Sequence, residues 1–191
     1  KEDVKNKIEE HLKNMKDAEK VEVAFFGGSF TAIDIEVQKE LLSAAYEYVK
    51  NKKIDSIRIS TRPDCINKDI LKMLKKYKVK TIELGVQSTN DYILDQIGRG
   101  HTFEDVKKAS KLIRRYRFNL GHQMMVGLPE STKIDDINTA KALIKLKPKM
   151  VRIYPVLVIK GTQLEKDYKN GEYKPIALVQ AVETCKELVR L

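Results

Sequence analysis

The sequence predicts an α/β fold built on a parallel sheet, and three observations carry that expectation. Short apolar, β-branched runs alternate with longer runs at helical period, giving a leading helix and then five strand–helix units. Parallel neighbours need a crossover long enough to hold a helix, and this spacing supplies one each time. Glycines, amides and charges gather just after the strand runs, where open sheets and barrels alike place their ligands. Restoring a strand ahead of the leading helix would make six units, so a first strand is expected to be missing. A doubly wound open sheet and a barrel both fit the pattern. No G-x-G-x-x-G follows the first strand run, which weakens the dinucleotide-binding version of the open sheet.

The elements follow in order. Residues 1–18 read as a charged amphipathic helix, with Val4, Ile8 and Leu12 at helical spacing. Val21 to Phe26 is a strand closed by Gly27-Gly28. Asp34 caps a helix running to about Asn51, with Val37, Leu41, Leu42, Ala45 and Tyr48 on its inner face. Ser56 to Ser60 is the next strand, and Asn67 opens a short helix bearing Ile70, Leu71 and Leu74. Thr81 to Val86 is a strand. Ser88 and Asp91 stand three apart, as in a capping box, and Thr102 and Asp105 repeat the spacing before Val106, Ala109, Leu112, Ile113 and Tyr116. Asn119 to Val126 is a strand. Ser131 or Thr132 caps a helix to Leu146, Met150 to Tyr154 is the last strand, and 176–190 the last helix. No linker, repeat or low-complexity segment divides residues 1–191, so one domain is expected.

Composition narrows the function classes. No stretch approaches the roughly 20 apolar residues of a membrane span. Cys65 and Cys185 are the only cysteines, which is no disulfide framework and points to a reducing, cytoplasmic setting. Neither lies in a cluster of ligand spacing, so no metal site is expected from the residues present. Lys and Arg exceed Asp and Glu by 37 to 27, a net charge of +10 that favours anionic partners, RNA included. Runs such as Lys68, Lys72, Lys75 and Lys76 read first as the solvated face of a helix.

The strand-end runs are FFGGSF (25–30), STRPDCI (60–66), ELGVQS (83–88), GRGHT (98–102), HQMMVGLPE (122–130) and RIYPVLVIKGTQLEKDYKNGEYK (152–174). In this order they resemble the radical S-adenosylmethionine (SAM) domain of the Elongator catalytic subunit and its small bacterial relatives, over about residues 21–175. The resemblance implies a partial (β/α)6 TIM-like barrel of parallel strands without its first strand. It implies SAM and a [4Fe–4S] cluster as cofactors. In such enzymes three cysteines of a C-x3-C-x2-C-like loop ligate the cluster, and reductive cleavage of SAM yields a 5′-deoxyadenosyl radical. That loop is absent here, so the chain is expected to be an inactive fragment of the radical enzyme.

By the same resemblance, Gly27, Gly28 and Ser29 receive the methionine amino group. Carbonyls left free at a strand end suit an ammonium, and glycine lets a ligand approach the backbone. Gln87 matches a polar residue that reaches the cofactor, and Arg99 an arginine placed for the methionine carboxylate. Gln123 stands where relatives carry a ribose-contacting, often acidic, residue, and Ser60 where many carry Glu. A nucleoside, nucleobase or other small substrate, a tRNA, and an electron donor such as flavodoxin or ferredoxin are the implied partners. A homodimer is expected to form through apolar surface left by the missing strand.

Other polar residues receive plainer readings. His101 and His122 lack partners at metal spacing and are expected to be structural. Cys65 is expected to be a semi-buried thiol. Arg62, Asp64, Tyr154 and Lys160 sit on the substrate side by the rim argument, and Arg62 and Asp64 equally fit a pair that bridges itself. A reading from another class is a cluster-free RNA-binding relative of the same fold, whose binding would weaken with salt.

Overall fold

A computed structural model describes residues 1–15 and 18–191. Five strands pair in chain order: β1 (Glu22–Phe25), β2 (Ser56–Thr61), β3 (Val79–Gln87), β4 (Asn119–Val126) and β5 (Met150–Pro155). β1 pairs with β2, and β2 with β3, in parallel, as the helix-length crossovers require. The helices are α1 (Glu2–Leu12), α2 (Ile35–Lys50), α3 (Lys68–Lys76), α4 (Asp91–Gln96), α5 (Phe103–Arg115), α6 (Lys133–Lys145), α7 (Gln163–Lys169) and α8 (Leu178–Val189). The described residues cluster into two compact units, 1–85 with 108–121, and 86–107 with 122–191.

In the first unit, α1 stops at Leu12, short of the expected residue 18; Lys16 and Asp17 lie outside the described residues. Asp34 Oδ1 caps α2 by accepting the Glu36 and Val37 N–H groups at 2.9 and 3.3 Å. The buried stripe of α2 runs through Gln38, Leu42, Ala44, Ala45 and Tyr48, not through Val37, which is exposed. The stripe turns that way because Gln38 Nε2 donates to the Ile33 carbonyl at 2.8 Å and folds its stem inward. Asn67 caps α3 through Oδ1, accepting from Asp69 and Ile70 N–H. Ile57, Ile59, Ile82 and Leu84 are fully buried, so β2 and β3 form the floor of this core.

Charged residues also enter that sheet. Glu22, Arg58 and Glu83 come from β1, β2 and β3, and the register pairs Glu22 with Ser56 and Ser60 with Glu83. Arg58 Nε donates to Glu22 Oε2 at 2.6 Å, its Nη1 pairs with Glu83 Oε1, and Ser56 Oγ donates to Glu22 Oε1 at 2.8 Å. Burial works against the Arg58 charge, but the hydrogen bonds to Glu83 and Glu22 outweigh it and hold the guanidinium above its ordinary pKa.

In the second unit, Thr132 and Asp135 make a reciprocal capping box that starts α6. Thr102 and Asp105 do the same before α5, with Thr102 N–H donating to Asp105 Oδ2 at 2.9 Å and Asp105 N–H to Thr102 Oγ1 at 3.3 Å. The expected box of Ser88 and Asp91 does not form. Asn90 caps α4 instead, accepting from Tyr92 N–H, while Asp91 Oδ1 accepts from Phe103 N–H at 2.7 Å. Helix α7 was absent from the sequence reading, although Thr162 and Glu165 start it with a T-x-x-E pattern: Glu165 N–H donates to Thr162 Oγ1, and Glu165 Oε2 accepts from Gly161 N–H. Ile93, Leu128, Val156 and Tyr173 form a buried cluster under the loop after β4, and the Tyr173 hydroxyl donates to the Gly127 carbonyl at 2.7 Å. Among the described residues no helix is long and apolar enough to cross a membrane.

Candidate functional site

In the first unit, Gly27, Gly28 and Ser29 follow β1 after one intervening residue, Phe26. Gly27 has φ +101°, a conformation that β-carbon sterics deny most residues, and it turns the chain away from the strand. A Cβ at Gly27 or Gly28 would meet nothing within 4 Å, so open space borders both backbones. The three residues line a cleft of about 210 Å³ whose other walls are apolar, Phe25, Phe26, Phe30 and Ile33 among them. Ser60 is the fifth residue of β2 and is buried. Beyond it, Thr61 Oγ1 and Thr31 Oγ1 lie 2.6 Å apart, and Thr31 Oγ1 donates to the Cys65 carbonyl at 2.9 Å. These bonds tie the segments after β1 and β2 to each other.

Arg62 and Asp64 bridge each other in a two-bonded pair, with Arg62 Nε donating to Asp64 Oδ1 at 3.0 Å and Nη2 pairing with Oδ2. The self-bridging alternative is the one realised. Burial, reinforced by the Asp64 charge, pushes the half-buried Cys65 thiol up from its ordinary pKa.

In the second unit the decisive residue is Gln87, the last of β3. Its φ is +70°, and Ser88 N–H donates across it to the Val86 carbonyl at 3.0 Å. A positive φ spanned by an i→i+2 bond is the rare, strained form of the γ-turn, and few side chains tolerate it. The turn is pinned from both sides. Asn90 N–H donates to Ser88 Oγ at 3.1 Å, Thr89 N–H donates to Thr139 Oγ1 at 3.1 Å, and His101 Nε2 lies 3.3 Å from the Val86 carbonyl. The amide oxygen of Gln87 is buried and has no hydrogen-bond partner among the described residues. An unsatisfied buried acceptor on a strained residue is the pattern of a group held ready for a ligand.

Arg99 is half-buried in the turn between α4 and α5, its N–H bonded to the Leu94 carbonyl at 2.9 Å. Gln123 is buried in the middle of β4, and His122 beside it is fully buried. Burial lowers the His122 pKa to about 4, so it is neutral at pH 7. His101 and His122 are both buried, and no group of three His, Cys, Asp or Glu residues that could hold a metal ion occurs among the described residues. Tyr154 and Lys160 are exposed.

A family model described as the radical SAM superfamily matches residues 1–143, three-quarters of the chain, and one described as the radical SAM C-terminal domain matches residues 148–191. The chain belongs to the radical SAM superfamily. It is 34 % identical over 200 residues to the tRNA uridine(34) acetyltransferase of Methanocaldococcus jannaschii, covering 94 % of this chain and 37 % of that protein. Among solved structures, the archaeal Elp3 of Methanocaldococcus infernus with an N-terminal deletion superposes with a TM-score of 0.82 at 32 % identity, over 97 % of this chain and 48 % of that one. Coproporphyrinogen III oxidase of Escherichia coli shares the fold alone, with a TM-score of 0.69 at 17 % identity. The chain thus spans less than half the length of the M. jannaschii relative. The fold class is the partial TIM-like barrel of parallel strands that the resemblance implied.

The cofactors of this superfamily are SAM and a [4Fe–4S] cluster, and the residues fit the two unequally. With two cysteines in all, the radical SAM chain lacks the three thiolates that ligate such a cluster, so its own residues do not supply that site. The residues matched to SAM are of the right chemistry: open glycine backbone after β1, an unsatisfied amide acceptor after β3, and a guanidinium after α4.

Sequence reasoning missed three features here. The Glu22–Arg58–Glu83 triad left the signal of charges inside otherwise apolar strands. The γ-turn at Gln87 left none, since glutamine does not announce a positive φ. Asp136 on α6, 4 % exposed and hydrogen-bonded by Ser131 Oγ at 3.0 Å, carries no signal in the sequence that separates it from a surface acid. Burial raises its pKa to about 6.

Proposed function

We propose that residues 1–191 are the core domain of a radical SAM enzyme that acts on a nucleoside of tRNA. The tRNA uridine(34) acetyltransferase among its relatives supports the substrate class, and the +10 charge agrees with it. Bound SAM, once supplied with an electron, furnishes the radical chemistry of this superfamily. The residues of this chain bind and orient it. The carbonyls around Gly27 and Gly28 accept hydrogen bonds from the methionine ammonium, with Ser29 closing that turn. Arg99 pairs with the methionine carboxylate through two parallel N–H bonds. Gln87 uses its buried amide oxygen as acceptor for a ligand N–H or hydroxyl, and Ser60 and Gln123 present a hydroxyl and an amide toward the nucleoside. The observation that carries this reading is Gln87, because a strained backbone at a strand end combined with a buried oxygen that has no partner among the described residues supports a waiting ligand contact.

Equilibrium dialysis with SAM and with its decarboxylated analogue tests the assignment. The chain is expected to bind SAM weakly, with a Kd of about 1 mM, and Gln87→Ala to reduce binding roughly tenfold. Arg99→Ala should weaken SAM and leave the decarboxylated analogue unchanged. Equal loss for both ligands would show that Arg99 does not read the carboxylate, and unchanged binding by Gln87→Ala would remove the central contact.

A further inference from the structure

A second polar site lies in the first unit, at the amino ends of the strands. A cleft of about 470 Å³ opens where β2 and β3 begin, beside Ser56 and Val79. Lys50, Lys75, Lys78, Lys80 and Arg117 line it, together with Tyr46. All five cations are exposed, and among the described residues no carboxylate forms an ion pair with Lys50, Lys78, Lys80 or Arg117. Lys75 Nζ donates to the Tyr116 carbonyl at 3.0 Å, which anchors it on the wall. Asp55 is the acid on the lining, and its Oδ2 is engaged by the Val21 N–H at 2.7 Å. Ser60 lies on the other end of β2, four residues or about 13 Å along the strand from Ser56.

Two of the five cations sit where the backbone prefers another residue. Lys78 and Arg117 follow the ends of α3 and α5 with φ of +58° and +63°. Glycine or asparagine is the usual occupant of that left-handed position, because a β-carbon is strained there. The chain instead places long cationic side chains at both, and both reach the same cleft. Lys52 after α2 and Lys147 after α6 hold the same left-handed position away from the cleft, so it is the convergence of Lys78 and Arg117 with Lys50, Lys75 and Lys80 on one lining, not the backbone conformation, that marks the site. Tyr46 adds a ring on the wall, set edge-on to Tyr77 with centroids 6.1 Å apart.

We propose that this cleft binds the phosphate backbone of RNA, with Lys50, Lys78, Lys80 and Arg117 on the phosphates and Tyr46 against a ribose or base. Phosphates take cations that have no carboxylate partner, and interleaved aromatic rings suit unpaired nucleotides. The site extends the tRNA partner of the proposed function to a second surface, so RNA would be gripped at the amino ends of the strands while the cofactor residues lie at the carboxyl ends. It makes no use of SAM or of the cluster.

The test is binding of an unmodified tRNA transcript to the 191-residue chain, without cofactors, by fluorescence anisotropy across a salt series. Lys78→Gly/Arg117→Gly is the informative variant, because glycine relaxes both left-handed positions and should hold or raise the melting temperature. Its affinity is expected to fall on the order of tenfold at about 0.1 M salt, and the slope of log K against log salt to drop by about 1.4–1.8 for two lost contacts. Lys50→Gln/Lys80→Gln should act alike. The charge-matched control Lys141→Gln/Lys186→Gln, on α6 and α8, should change both far less. Equal losses in the control would reduce the effect to net charge and overturn the site. If the unaltered chain binds but the cleft variants keep its affinity, the cleft is wrong and the RNA partner stands. If the unaltered chain does not bind at all, the cleft falls, while the SAM assignment is judged separately by dialysis. Competition by polyglutamate as strong as by RNA of equal charge would make the cleft a dock for acidic protein and refute the RNA assignment.

Discussion

Replacing Arg58 by Met should be among the most damaging single substitutions in the chain. The guanidinium is 15 % exposed, Glu83 0 % and Glu22 20 %, so its removal strands two carboxylates in the sheet, one of them with no access to water. Breaking a buried ion pair from one side costs about 3–5 kcal/mol, mostly from the charge left behind. For a chain of this size each kcal/mol moves Tm by about 2–4 °C, which places the expected fall at roughly 6–20 °C. Urea unfolding followed by circular dichroism and tyrosine fluorescence gives the free energy and shows whether the two probes coincide. Arg58→Met/Glu83→Leu should recover most of the loss, since an apolar pair of similar volume removes the buried charge as well as its partner. A single-variant loss below about 1 kcal/mol, the range of exposed ion pairs, would refute the claim that the triad is buried and coupled. So would a double variant that loses as much as the two singles summed.

Other substitutions test other parts of the structure. Gly127→Ala is expected to cost about 1–3 kcal/mol in urea unfolding, because Gly127 has φ +79° and an added Cβ would lie 2.8 Å from Ile176 Cγ2. Lys147→Gly, at φ +54° after α6, should gain about 0.5–1 kcal/mol in the same assay by relieving a left-handed lysine. Asp136 is protonated more readily folded than unfolded, so its contribution should weaken stability by about 2–3 kcal/mol as pH rises from about 4 through about 6. Asp136→Asn should remove that slope. His122 acts with the opposite sign: its pKa is lower folded than unfolded, so the stability it supports is present above about pH 6.5 and lost as pH falls toward 4. The Asn variant should therefore show the acid-side loss more clearly than the natural chain in pH-dependent urea titrations.

The parts of the fold that could be read ahead of the structure are those fixed within a few residues. Asp34, Asn67, Thr102 and Thr132 each cap the helix that follows because a side-chain oxygen within three residues is enough. Ser88 broke the rule because its hydroxyl accepts the Asn90 N–H and pins the turn after β3, leaving Asn90 to cap α4. Leu42, Ala45 and Tyr48 are buried on α2 as read, while in its first turn Val37 is exposed and Gln38, hydrogen-bonded to the Ile33 carbonyl, is buried instead. The pairing of Arg58 with Glu22 and Glu83 was out of reach, since it depends on register across three strands, including the irregularity between Ile57 and Arg58. The strand-end glycines, Gln87 and Arg99 were legible as motifs. The γ-turn under Gln87 was not, because glutamine does not announce a positive φ and one of the bonds that pins the turn comes from Thr139, 52 residues further along the chain and on another helix.

The most direct measurement is a backbone and side-chain amide NMR map of the 15N-labelled chain titrated with S-adenosylhomocysteine. The expected result is a set of shifts confined to the proposed contacts: the backbone signals of Gly27 to Ser29 and of Ser60, the side-chain amides of Gln87 and Gln123, and Arg99. Shifts at Ser56, Val79 and Asn119, where the strands begin, or a spectrum unmoved at millimolar ligand, would contradict the placement of the nucleoside site.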